Sequence, residues 1–271
     1  MATTVRTTLE AVREAAAELE RAGCGTPRLD AELLFAATLG VPRERIHLDG
    51  DQPLSPKLEA AASALVARRA GREPVAYILG WREFRRIELV VDRRVLVPRP
   101  ETELLVEVAL ELPGGTGVHD AGTGSGAVAL AIKDERPDLV VTASDVSEAA
   151  LHVARANAAR LGLAVDFNCA PGLPASAAGV DLVVGNLPYV RDDEWPTLAP
   201  EIRLHEPREA LVAGPDGLEA ICELVDEAPS GAALALEHAP GHAGRVRELL
   251  AGARTCRDLS GRERVTLGRV P

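Results

Sequence analysis

Along the first 70 residues apolar positions recur every three or four, the spacing of helices that bury one face. TTLEAVREAAAELERA (7–22) predicts a helix stopped by Gly23. Thr26-Pro27 is placed to cap a second, RLDAELLFAATLG, that ends at Gly40. VPRERIHL predicts a short third helix, and Ser55-Pro56 opens a fourth that runs to Gly71. From Tyr77 to Val97 the period changes. YILGWREFRRIELVVDRRVLV alternates and is rich in Ile, Val and aromatics, which predicts a β-hairpin with its turn near Arg86. Pro98 and Pro100 break it, and Glu101 to Leu112 predicts a helix with acidic residues in its first turn.

After Gly114-Gly115 the rhythm is strand–helix alternation, with strands expected at 117–121, 139–144, 164–168, 180–185 and 232–238. Such βα repetition calls for a parallel sheet covered on both faces. The tail ARTCRDLSGRERVTLGRV departs from it and predicts an antiparallel hairpin turning at Ser260-Gly261. The expected fold is therefore α/β, a Rossmann-like sheet that is mostly parallel. It carries a small helical domain (1–72), a linking hairpin (73–98) and a sheet domain (99–271). A bundle of that size is weak alone.

Composition adds constraints. In 271 residues, hydrophobic side chains make up 46% and aromatics 3%, so the core rests on Leu, Val and Ala. Net charge is −11, from 30 Lys+Arg against 41 Asp+Glu, which disfavours direct binding of nucleic acid through phosphates. The arginines at 68, 69, 72, 82, 85, 86, 93, 94 and 99 crowd one stretch. They suit a solvated helix and hairpin, or docking of an acidic partner. Cys24, Cys169, Cys222 and Cys256 show no zinc or disulfide spacing, so no metal site is expected and a reducing cytoplasm fits. No apolar run predicts a leader or a membrane span.

The first sheet strand runs into Asp120-Ala-Gly-Thr-Gly-Ser-Gly126 and then a helix. Gly122, Thr123, Gly124, Ser125 and Gly126 form a turn that lets a ligand approach backbone and a helix N-terminus. Asp145 ends the next strand, 23 residues after Gly122, where a carboxylate can accept both hydroxyls of a ribose. Ser147 is the better cap for the following helix, which leaves Asp145 for a ligand. These features fit a dinucleotide or S-adenosylmethionine alike. Asn186-Leu187-Pro188-Tyr189 discriminates. It ends the fourth strand, at the edge of the sheet where ligands bind. There the Asn186 side-chain oxygen and the Leu187 backbone carbonyl can accept both hydrogens of one NH2 group, with the Tyr189 ring against the planar group bearing it.

NLPY resembles the N-[PL]-P-Y signature of amino-group methyltransferases. The chain as a whole resembles the glutamine-N5 methyltransferases of peptide chain release factors. Matching stretches are PRLDAELL (27–34), REPVAYILGWREF (72–84), VLVPRPETELLVE (95–107), DAGTGSGAVALA (120–131), SDVSEAALHVARANAARLGL (144–163), NLPYV (186–190), HEPREALVAGPDGL (205–218) and DLSGRERV (258–265). The resemblance implies a cytoplasmic enzyme that methylates the GGQ glutamine of release factors from S-adenosyl-L-methionine. It further implies recognition of the release factor by the helical domain, and cofactor binding by the glycine turn, Asp145 and Asn186. Asn186, Leu187 and Tyr189 would act on the substrate amide, with Pro188 in the same wall. A monomer is expected. The chain departs from the family at Leu187, where proline is usual, at Arg86, where glycine is common, and at LEHAPGHA (236–243). It also lacks the family's acid and aromatic residue at Asn168-Cys169-Ala170-Pro171-Gly172. A paralogue acting on another amide or amine, a non-catalytic binding protein and an NAD-dependent oxidoreductase are the competing readings.

Overall fold

The computed structural model describes residues 6–177 and 179–271. Residues 1–5, part of the stretch read for a leader, lie outside them. Two compact units emerge: one reaching to Gly80 and including Ala199–His205, the other comprising Trp81–Leu198 and Glu206–Pro271. Among the described residues no helix is long and apolar enough to cross a membrane.

The first unit holds α1 (Thr8–Arg21), α2 (Pro27–Leu39), α3 (Arg45–Leu48), α4 (Pro56–Ala70) and α5 (Val75–Leu79). Helix α1 starts with a reciprocal cap. The Thr7 hydroxyl accepts from the Glu10 amide at 3.3 Å, and the Glu10 carboxylate accepts from the Thr7 amide at 2.9 Å. Thr26, expected to cap α2, instead donates its hydroxyl to Asp30 at 2.7 Å. Leu19, Leu34, Phe35, Ile46 and Val66 form the core. Helix α5 corrects the reading of Tyr77–Leu79 as strand. Pro74 opens a helical turn there, and Gly80, at φ +81°, closes it.

Arg69 was expected on a solvated or docking surface and is buried instead. Its guanidinium donates to Asp30 at 2.7 Å and to Glu201 at 2.8 Å, while Arg72 reaches the other Glu201 oxygen at 2.5 Å. Glu201 belongs to the short helix Pro200–His205, α9 by its place in the chain. These paired charges are how a segment more than 100 residues away along the chain joins the helical unit.

The second unit begins with a two-stranded hairpin, β1 (Trp81–Phe84) and β2 (Ile87–Val90), paired from Trp81↔Val90 to Phe84↔Ile87. It is shorter than the 77–97 alternation suggested. Asp92 accepts from the backbone amide of Arg94 at 3.0 Å, a local turn that takes the chain out of the strand. At the tip, Arg85 has φ +52° and its guanidinium forks onto Glu135.

The sheet proper follows: α6 (Glu103–Leu110), β3 (Gly117–Ala121), α7 (Ala127–Glu135), β4 (Val140–Asp145), α8 (Glu148–Leu161), β5 (Asp166–Cys169), β6 (Leu182–Gly185), then, beyond α9, α10 (Glu219–Glu227), β7 (Ala233–Glu237), α11 (Ala243–Leu249), β8 (Ala251–Arg257) and β9 (Glu263–Arg269). Its strand order is β5-β4-β3-β6-β7-β9-β8. Strands β3 to β7 are parallel, and β9 and β8 add the expected antiparallel hairpin. The order reverses direction beside β3, so a crevice opens between the carboxyl ends of β3 and β6.

Candidate cofactor and amide site

Four strand ends meet at this crevice. Gly122 follows β3, Asp145 ends β4, Asn186 follows β6 and Glu237 ends β7. Register explains the convergence: Ala121 pairs with Gly185 and Gly185 with Leu236, so the residues that follow leave the sheet at one level.

A cavity of about 250 Å³ lies there, walled by Gly122, Gly124, Asp145, Asn186, Leu187 and Pro188 among others. The remaining predicted residues, Thr123, Ser125, Gly126 and Tyr189, are not among those that line it. Thr123 donates its hydroxyl to Asp120 at 2.6 Å, Ser125 is buried, and Gly126 caps α7. Tyr189 is half-buried, and its hydroxyl donates to Glu237 at 3.3 Å.

Asp145 accepts from the Gly124 amide at 2.8 Å and from the Ser147 amide at 2.9 Å, so one carboxylate ties the glycine turn to the start of α8. Burial raises its pKa against those two donors, and Glu209 in the same wall adds like-charge repulsion. Ser147 caps α8 through the Ala150 amide at 3.2 Å. Leu187 is buried, with its side chain filling the space beside Gly122 and Gly185.

Behind the wall, Asp120 is fully buried. Burial pushes its pKa up to about 7, opposed by the Thr123 hydroxyl and the Ala129 amide. On the opposite face of β3, His119 lies between the Thr142 and Ser144 hydroxyls at 2.8 Å each, and burial pulls its pKa down to about 4.

Several contributors were not legible in sequence. Arg94, Val95 and Leu96 line the cavity from the stretch beyond the hairpin, and Glu223, Leu224 and Glu227 line it from α10. Asn157 on α8 is fully buried. It pairs with both the N–H and the C=O of Val90, at 2.8 and 3.0 Å, and donates to the Ser125 carbonyl at 3.0 Å. The PRPETE stretch enters twice. Arg99 donates to Glu206 at 2.5 Å, and the Thr102 hydroxyl accepts from Asn186 Nδ2 at 2.9 Å. A hydrophobic periodicity could not have found these pairs.

The strand order, the glycine turn after β3 and the acid at the end of β4 define a class I methyltransferase fold. The hMettl16 catalytic domain, solved with MAT2A 3'UTR hairpin 6, shares it at a TM-score of 0.53 and 16% identity, over 75% of this chain and 80% of that one. Residues 10–80 match the PrmC N-terminal domain, and residues 100–214 match the methyltransferase small domain. The release factor glutamine methyltransferase of Deinococcus radiodurans is 41% identical over 94% of this chain and 96% of its own length. That of Mycolicibacterium smegmatis is 40% identical over 97% of this chain and 95% of its own. The chain belongs to the release factor glutamine methyltransferase family.

Proposed function

We propose that the protein transfers a methyl group from S-adenosylmethionine to the side-chain nitrogen (N5) of a glutamine, that of the GGQ motif in peptide chain release factors, in the cytoplasm. The observation that carries the reading is the meeting of Gly122, Asp145 and Asn186 in one cavity whose wall also bears Glu209, Glu223 and Glu227. Acidic walls suit a cofactor that carries a sulfonium and an ammonium. Asp145 retains lone pairs beyond the two backbone amides it accepts from, the acceptors that ribose hydroxyls require. The residues present therefore fit the cofactor. Gly122 and Gly124 would admit it against backbone, Asp145 would hold its ribose, and Ala170, Pro171 and Leu224 would wall its base.

S-adenosylmethionine, when bound, supplies a methyl group made electrophilic by the sulfonium. The protein's own task is to present a poor nucleophile. An amide nitrogen shares its lone pair with the carbonyl. Asn186 Oδ1 and the Leu187 carbonyl accept its two N–H bonds, turn the lone pair towards the donor side and stabilise the positive charge that develops on nitrogen. Pro188 stiffens the backbone that carries both acceptors, and Tyr189 gives the substrate amide a flat flank. Alignment of two bound reactants is worth roughly 7–11 kcal/mol of barrier. The helical unit, with the α9 segment, would recognise the release factor.

Incubation with labelled S-adenosylmethionine and a bacterial release factor tests the reading. Label should enter the release factor and not its variant with the GGQ glutamine replaced by alanine. Cofactor binding without transfer would redirect the reading to another amide or amine.

A further inference from the structure

Strand order sets where each part of the cofactor would lie along the crevice. The sheet edge presents, in turn, the loop after β5, Asp145 on β4, the glycine turn after β3 and Asn186 after β6. Methyl transfer requires the sulfur to stand on the Asn186 side, with the ribose between it and the base at Asp145. The base would therefore fall beside β5, where Ala170, Pro171 and Gly172 line the cavity. That loop is fixed to β4. The Ala170 amide donates to the Asp145 carbonyl at 3.1 Å, and the Ser144 hydroxyl donates to the Gly172 carbonyl at 3.0 Å.

An adenine presents an exocyclic NH2, a donor that needs an acceptor. Ala170, Pro171 and Gly172 have no polar side chain to offer one. Helix α10 brings an acid to the same place. Glu227 lines the cavity, and its Oε2 accepts from the Leu173 amide at 3.3 Å. Gly172 makes the room for it. The glycine sits at φ +49°, and a β-carbon there would overlap Oε2 while standing 3.5 Å from Oε1. The carboxylate thus occupies the space that a side chain at position 172 would take. Among the described residues the Leu173 amide is its one hydrogen-bond donor, which leaves Oε1 for a ligand. Glu223, one turn earlier on α10, also lines the cavity, but among the described residues no hydrogen bond ties it to this loop.

We infer that Glu227 reads the base of the cofactor, with Oε1 accepting from the exocyclic NH2 of adenine while Leu173 holds Oε2. The inference deepens the methyl-transfer reading given above and rests on it. The acids of the cavity then divide their tasks, Asp145 for the ribose and Glu227 for the base. A purine with a carbonyl in place of the NH2 sets oxygen against oxygen and is rejected. The Leu173 donor makes this polarity reversible by substitution. In Glu227→Gln the single amide oxygen accepts from Leu173, so the NH2 end faces the base. It opposes the NH2 of adenine and suits the carbonyl of hypoxanthine.

The test is calorimetry on the full chain, with no turnover required. S-Adenosylhomocysteine is compared with S-inosylhomocysteine, which carries a carbonyl where the first carries NH2. The wild type should bind the adenine compound about 10- to 100-fold more tightly, the range of a charged hydrogen bond. Glu227→Gln should weaken that binding by a similar factor and should bind the hypoxanthine compound at least as tightly as the adenine one. Gly172→Ala, whose β-carbon evicts the carboxylate with its charge intact, should shrink the wild-type preference towards equality.

Equal affinities in the wild type overturn the inference. So does either variant that keeps the wild-type preference, since another group would then be reading the base. A wild type that binds neither compound overturns the cofactor reading and this inference with it. A preference lost in both variants, with no methyl reaching a release factor, supports the inference and places the failure in the substrate reading alone.

Discussion

A β-carbon on Gly122 would stand 3.0 Å from Leu187 Cδ2, so the glycine turn and the NLPY segment are packed against each other. Gly122 also sits at φ +70°, where an L side chain is strained. Gly122→Ala must therefore bend the turn or displace Leu187. Cofactor affinity should fall about 5- to 150-fold, since strain at such a position is worth about 1–3 kcal/mol. Calorimetry with S-adenosylmethionine checks this, and unchanged affinity would mean that the turn relaxes freely. The same contact gives Leu187→Ala a cost of about 2–4 kcal/mol in urea unfolding, the price of a cavity in a packed core.

Asp145→Asn keeps size but removes the charge that accepts from Gly124 and Ser147. An amide oxygen can replace one of these acceptors while its NH2 end faces the other donor. Charged hydrogen bonds are worth about 1.5–3 kcal/mol, so cofactor affinity should weaken about 10- to 100-fold. The α8 cap at Ser147 should survive, visible as unchanged helical signal.

Asn157→Leu should destabilise the protein by about 3 kcal/mol, because it leaves the Val90 N–H and C=O and the Ser125 carbonyl without their partner. Amide exchange at Val90 should quicken more than exchange in β3. If Val90 stays protected, the hairpin edge is held by something other than Asn157.

His119 and Asp120, neighbours on β3, give stability opposite dependences on pH. Asp120 binds its proton more tightly in the fold than its ordinary 3.8, so its contribution is greatest in acid and is lost as pH rises towards about 7. His119 resists protonation in the fold, so its contribution is lost as pH falls from 6.5 towards about 4. Between those limits each slope approaches about 1.4 kcal/mol per pH unit and the two oppose. Relative to wild type, Asp120→Asn should gain stability with rising pH, and His119→Gln should gain it with falling pH. Urea titrations across that window decide it; parallel curves for all three proteins would contradict the assignment.

Local signals carried the sheet well. Val118 to Ala121, Leu182 to Gly185 and Ala233 to Glu237 are short apolar strands, and the turn at Gly122 follows β3 and Asp145 ends β4 as the sequence placed them. Tyr77 misled because apolar alternation in a short run fits a helical turn as well, and the Pro74 and Gly80 caps decide between them. Arg69 misled for another reason. Its partner Glu201 lies 132 residues on, and pairing at that range leaves no local pattern. Thr102, Asn157 and Glu237 were missed on the same ground, since each supports a site residue from a different element.

The most direct measurement is to map the methyl group. After incubation of the protein with S-adenosylmethionine and a release factor, fragment-ion mass spectrometry should place one added methyl on the side-chain nitrogen of the GGQ glutamine, and Asn186→Ala should leave that glutamine unmodified. A methyl found elsewhere, or full modification by Asn186→Ala, would contradict the assignment of this site to glutamine methylation.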